Sequence, residues 1–243
     1  MGALNLPPRI KWSHVRLIYE AIEPILKASP IKLLNPDSGR VLVLAPHIDD
    51  DIIGAGGCLR KHIQSGDDII AVYFADCSEE RIKEAEEAAN VIGFRHLEFF
   101  EYESKTLLKQ KDLLGRLSTI VNDYKPAIVY SPSLFDRHND HLAVNHYLSL
   151  LYEQYRFDFT VYAYEVWTTL VPNLIVDISD VVESKKKAIT QYKSQLSHNN
   201  WLDAAISLNR YRGVTSGVGM YAEGFVRYSL KEYYTLWKKV YGK

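Results

Sequence analysis

VLVLAPHIDDDIIGAGG, residues 41–57, sets five apolar residues before a proline and a histidine, then three consecutive aspartates, then an apolar run with glycines. A short, uninterrupted apolar stretch ending at a turn reads as a strand buried on both faces, Val41–Ala45. The residues from Asp51 to Gln64 read as the helix that follows it. His47, Asp49 and Asp50 are then left at the carboxyl end of the strand, where open α/β sheets gather ligands and catalytic groups. Three acids and an imidazole packed together are costly unless something positive holds them. A divalent cation and the positive end of a helix would both supply that charge.

Outward from this stretch, strand and helix patterns alternate. The first helix stops at Ser65-Gly66, and a strand is predicted over Ile69–Phe74. A charged helix follows over Glu79–Ile92, closed by Gly93, then a short strand over Leu97–Phe100. A helix over Lys105–Tyr124, ended by Pro126, leads to a strand over Ala127–Tyr130. This order predicts an α/β fold: a Rossmann-like, mostly parallel sheet with helices on both faces. Further on, strands are predicted over Val161–Val166 and Leu174–Ile178, and helices over Val181–Gln195 (capped by Ser179-Asp180), Trp201–Arg212 and Lys231–Tyr241. Upstream, Ser13–Lys27 has the spacing of an amphipathic helix. No repeat or linker breaks the pattern, so residues 1–243 are expected to form a single domain. Gly54, Gly56 and Gly57 make no dinucleotide fingerprint and point to close helix–sheet packing.

The fourth strand opens into SPSLFDRHNDHLAVNHYLSLLYEQY, residues 131–155. His138 and His141 stand where its loop becomes a helix, one turn apart and able to face one side. Two distant segments therefore deliver metal-competent side chains to one end of a parallel sheet. Two imidazoles and a carboxylate, His47, Asp50 and His141, suit a catalytic zinc ion with an open fourth position. Other divalent transition metals fit the same donors. Asp49 can then act as general base and His138 as donor to the oxygen of a tetrahedral intermediate. Asp140 reads as a residue that orients an imidazole. Together they form a kit for metal-assisted amide hydrolysis.

The totals narrow the alternatives. There are 29 basic and 30 acidic residues for a net charge of −1, so no basic footprint for nucleic acid exists. No apolar run reaches membrane-spanning length, which predicts no transmembrane segment. Two cysteines offer no disulfide framework, and the N-terminus lacks a secretory pattern; both point to a cytoplasmic setting. A homo-oligomer is left open.

PHIDDDIIGAGG and RHNDH resemble the paired histidine motifs of the PIG-L/LmbE-like zinc-dependent N-deacetylases. Weaker likenesses continue in SEERIKEAEEAANVIGF, YAYEVWTTLVPNLIVDISD, KKKAITQYKSQ and YAEGF. The resemblance implies zinc ligands at His47, Asp50 and His141, a base at Asp49 and an oxyanion-stabilising histidine at His138. It also implies a substrate-contacting arginine at Arg81. Ile48 stands in place of the family's usual proline, and Asp51 in place of a glutamate that supports the site without touching the ion. The acidic residue that sugar-binding members carry after the third strand has no clean counterpart, with Glu101 and Glu103 nearest. The implied substrate is an acetylated amino sugar of the N-acetylglucosamine type or its glycoconjugate. An amidase for a larger sugar conjugate and a non-catalytic metal-binding protein are the alternatives.

Overall fold

Alternate side chains of Val41–Ala45 enter two separate apolar cores, as a strand covered on both faces requires. Val41, Val43 and Ala45 pack with Ile52, Leu59 and Ile189 on one face. Leu42 and Leu44 pack with Leu117, Leu148 and Tyr233 on the other. The computed structural model describes residues 30–242. The helix expected over Ser13–Lys27 lies outside the described residues.

In chain order the elements are β1 (Ile31–Leu33), β2 (Val41–Ala45), α1 (Asp50–Gln64), β3 (Ile69–Ala75), α2 (Glu79–Ile92), β4 (His96–Tyr102), α3 (Leu113–Tyr124), β5 (Ile128–Pro132) and α4 (Asn139–Leu150). They continue with β6 (Thr160–Tyr164), β7 (Leu174–Asp177), α5 (Val182–Ile189), α6 (Lys193–Leu196), α7 (Trp201–Ser216), β8 (Ala222–Ser229) and α8 (Leu230–Tyr241). The strands form one eight-stranded sheet in the order β1-β7-β8-β6-β5-β2-β3-β4. Only β8 runs antiparallel to its neighbours, β6 and β7. From β2 the chain winds outward through β3 to β4, then returns to β5 on the other side of β2 and continues to β6. The strand order reverses between β2 and β5, so their carboxyl ends bound the crevice where such sheets bind ligands. The expected mostly parallel α/β sheet is the one observed.

Three expectations are corrected. The helix predicted from Lys105 begins only at Leu113. Polar groups claim the preceding backbone: the Asp140 carboxylate accepts Lys105 N–H, and the Tyr147 hydroxyl donates to the Leu107 and Gln110 carbonyls. The helix predicted over Val181–Gln195 is two pieces, α5 and α6, because Glu84 on α2 draws in Ser194 through its N–H and hydroxyl at 2.8 and 2.7 Å. Ser179 does not cap it; its hydroxyl donates to Asp177 and accepts Met220 N–H and Tyr221 N–H. Lys185, in the basic run Lys185–Lys187, is wholly buried and pairs with Glu223 at 2.6 Å.

Candidate active site

The turn after β2 is tight and strained. Asp49 has φ 141° and ψ −26°, a left-handed conformation that costs a non-glycine residue about 1–3 kcal/mol. Three bonds hold it. His47 N–H donates to Asp50 Oδ2 at 2.8 Å, Ile53 N–H donates to the Asp49 carbonyl at 2.9 Å, and Arg81 Nη2 donates to the Ile48 carbonyl at 2.9 Å. Ile48, in the position of the expected proline, is fully buried and anchors the turn in the core.

Asp50 Oδ2 sits between two imidazoles, 3.3 Å from His47 Nδ1 and 3.1 Å from His141 Nε2. Tetrahedral bonds of about 2.0–2.1 Å put neighbouring ligand atoms about 3.3 Å apart, so Asp50 Oδ2 has the spacing of a co-ligand to each imidazole. His141 supports this independently. Both its ring nitrogens are buried, each has a carboxylate oxygen at 3.1 Å, and neither makes a hydrogen bond to it. Nitrogen and oxygen lie side by side, as two ligands around a common point do. A second grouping is His47, His138 and His141, whose ring nitrogens fall within 4.8 Å of one another, a looser span.

The opposite nitrogens of both imidazoles meet carboxylates. His47 Nε2 donates to Asp140 Oδ2 at 3.0 Å, and Asp136 Oδ2 lies 3.1 Å from His141 Nδ1. Such carboxylates fix ring orientation and raise ligand basicity. Asp140 is itself held by Ser104 Oγ and Lys105 N–H. Burial works against its ionised form, but these donors and His47 keep its pKa down at about 2. Asp136 escaped the sequence reading. The available signal was its place immediately before RHNDH, which alone does not separate it from an ordinary loop aspartate.

Electrostatics follow from burial. Desolvation alone would lower the pKa of His47, but Asp140 and Asp50 outweigh it and lift it to about 10. His141 rises to about 9, where burial is opposed chiefly by Asp50 and Asp136. Asp50 is held far below the usual carboxylate range: burial resists, and His141 and His47 win. Asp49 goes the other way. Burial first, then the charge of Asp50, push its pKa well above the usual range, with Arg81 pulling back. His138 caps α4, and its Nδ1 accepts Asp140 N–H at 3.3 Å. The neutral ring then carries its proton on Nε2. Burial, with the charges of His47 and His141, lowers the His138 pKa and keeps it neutral.

His47, Asp49, Asp50 and His138 line a cavity of about 300 Å³ that also touches Asp76, Lys105, Trp167 and Trp201, with His141 buried behind it. Arg81 lies on its wall, 3.9 Å from Asp49 Oδ1 and 3.7 Å from Asp76, so it braces the strained turn as well as facing the cavity. Asp51 does not reach it. Fully buried, Asp51 accepts from the Tyr73 hydroxyl at 2.7 Å and the Tyr192 hydroxyl at 3.4 Å. Glu101 and Glu103 are not on the lining; Ser104 and Lys105 are. Trp167 is half-exposed and stacks beside His138, with ring centroids 6.0 Å apart and planes 21° from parallel.

The family model described as GlcNAc-PI de-N-acetylase, PIG-L, matches residues 42–151, the span holding both histidine motifs. Over that span the chain is similar to the PIG-L/LmbE-like de-N-acetylases. It is a deacetylase, a hydrolase. Diacetylchitobiose deacetylase of Thermococcus kodakarensis is 25% identical over 214 residues, which is 75% of this chain and 80% of that protein. Among solved structures, N,N'-diacetylchitobiose deacetylase from Pyrococcus horikoshii superposes with a TM-score of 0.69 at 23% identity, over 94% of this chain and 97% of that one. The 4-carboxy-2-hydroxymuconate hydratase GalB of Pseudomonas putida shares the fold at a TM-score of 0.64 and 24% identity, over 79% of this chain and 96% of that one. The fold thus hosts more than one chemistry, and the reaction follows from the residues at the site. Among the described residues no helix is long and apolar enough to cross a membrane.

Proposed function

We propose that the protein is a zinc-dependent deacetylase that hydrolyses the N-acetyl group of an N-acetylglucosamine-type amino sugar or its conjugate, releasing acetate and a free amine. The observation that carries this reading is the placement of Asp50 Oδ2 at 3.3 and 3.1 Å from the two imidazoles, with Asp49 and His138 on the same cavity. His47, Asp50 and His141 would hold the cation. His138 is the poorer ligand, because its Nδ1 lone pair is already engaged by a backbone N–H. A bound zinc ion supplies Lewis acidity, polarising the amide carbonyl and bringing the pKa of adjacent water toward neutrality.

The chain's own groups supply the proton transfers. Asp49, with its pKa raised by burial, takes a proton from water and later returns one to the departing nitrogen. Its strained backbone and the Arg81 guanidinium fix the carboxylate against the cavity. His138 offers Nε2–H to the oxygen on which negative charge develops. Asp140 and Asp136 keep the two ligand imidazoles turned toward Asp50. Arg81, Ser104 and Lys105 are placed to meet substrate hydroxyls.

The test is acetate release from N,N'-diacetylchitobiose and a panel of N-acetylglucosamine derivatives by the zinc-loaded protein, alongside His141→Ala. Release from at least one sugar, lost together with bound zinc in the variant, is expected. No release from any member, or full zinc content in His141→Ala by elemental analysis, overturns the assignment.

A further inference from the structure

A second cavity of about 220 Å³ adjoins the catalytic one and shares Ile53, Val166 and Trp201 with it as a common wall. Its far side is formed by Ala204, Leu208 and Asn209 of α7. The character changes across the wall. The catalytic cavity is lined by acids, histidines and Arg81, whereas this annex is walled mainly by aliphatic carbons and backbone. Its one carboxylate, Glu165, is already spent: Arg212 Nε donates to it at 3.2 Å and Leu170 N–H at 2.6 Å. Its one buried polar group without a partner is Asn209, 95% buried, whose Oδ1 has no hydrogen-bond partner among the described residues. An orphaned buried acceptor costs about 1–3 kcal/mol, and a ligand donor would recover it.

We propose that the annex is a binding subsite for an apolar aglycone on the acetylated amino sugar, one that carries a hydroxyl or N–H for Asn209. This rests on the deacetylase reading above. With acetyl as the group removed, any extension of the substrate lies on the sugar side. The aliphatic lining matches an alkyl or aryl group and leaves a second sugar's hydroxyls unpaired. Ala204 is exposed at the annex mouth, so a bulky residue there fills the space without repacking the core.

The experiment compares methyl, phenyl and 4-hydroxyphenyl β-glycosides of N-acetylglucosamine, together with N-hexanoylglucosamine, by amine release from the zinc-loaded protein. The phenyl glycoside is expected to exceed the methyl one in kcat/KM by about tenfold, the scale of a modest apolar contact in a fitted pocket. The 4-hydroxyphenyl glycoside should gain further. Ala204→Trp should collapse the phenyl advantage while leaving the methyl glycoside unchanged, and Asn209→Leu should remove only the extra gain of the hydroxyl. Equal rates for phenyl and methyl, a gain confined to the hexanoyl amide, or a phenyl advantage that survives Ala204→Trp would overturn the subsite. Failure of every substrate, the methyl glycoside included, would instead sink the deacetylase reading. Calorimetric titration of the phenyl glycoside then still judges the annex: binding weakened at least about tenfold by Ala204→Trp supports it, and unchanged binding rejects it.

Discussion

Asp49 meets two demands at one position: a left-handed backbone that suits glycine, and a carboxylate that must stand beside the ligands without joining them. A base role explains why an aspartate occupies so unfavourable a conformation. Asp49→Asn keeps the shape and removes the basicity. Turnover is expected to fall about 10²–10⁴-fold with zinc content intact, and near-normal activity would remove Asp49 from the mechanism. His138→Ala separates donor from ligand. Loss of about 10²–10³ in kcat with zinc retained marks the donor, while loss of zinc would restore the three-histidine set. The proposed ligand imidazoles carry a further signature. Without metal their pKa values stand near 10 for His47 and 9 for His141, so below pH 9 a cation must displace a proton from each. Titration calorimetry in buffers of different ionisation enthalpy should therefore report about two protons released per zinc ion at pH 7.5. Affinity should strengthen with pH until about 10 and then level. Uptake without proton release would mean that the imidazoles are not the ligands.

Helix α1 positions Asp50, and its glycines set how closely it can lie on the sheet. A Cβ on Gly54 would come 2.3 Å from the Tyr164 ring on β6, and one on Gly57 would come 2.6 Å from Ile178. Opposite them, Glu223 accepts Gly57 N–H and Cys58 N–H at 2.8 Å each, and Lys185 donates to the Ile53 carbonyl. Gly54→Ala should cost about 1–3 kcal/mol in chemical denaturation, because the ring it strikes is rigid and fully buried; no loss would mean the helix can slide outward. The glycines' packing role could be read from the sequence, since no phosphate-binding spacing competed for them. The same holds for β2, α1, β3 and α2, whose apolar runs and terminal glycines act locally. Lys185 and Glu223 could not be read, because 38 residues separate a lysine in a basic run from its acidic partner. The late start of α3 escaped for a similar reason: Asp140 and Tyr147, both downstream, take up the backbone of residues 105–110. The proposed ligands could be named from the sequence because two short motifs hold them all. The carboxylate behind His141 was not, since its role depends on how loop 133–138 turns back.

Across the whole molecule, the proposed ion ties the turn after β2 to the helix after β5, on either side of the point where the sheet's winding reverses. Without it, Asp50 and the two imidazoles are held together only by protons. Stability should therefore depend on metal and on pH together. A ligand present at 100 times its dissociation constant adds about 2.7 kcal/mol, which for a domain of this size shifts Tm by about 5–10 °C. The pH dependence has a definite sign. In the metal-free protein both histidine pKa values lie above the unfolded value of 6.5. Their ion pairs with Asp50, Asp136 and Asp140 contribute fully below about pH 6.5 and fade as pH rises through 9 to 10. In the zinc-loaded protein the cation replaces those protons, and deprotonation favours the bound state. The Tm difference between loaded and chelator-stripped protein should therefore widen from pH 6.5 to pH 9. Thermal melts at fixed free zinc across that range, repeated with Asp50→Ala, decide it. A gap that stays constant, or that persists in Asp50→Ala, would place the stabilising ion somewhere other than between these two loops.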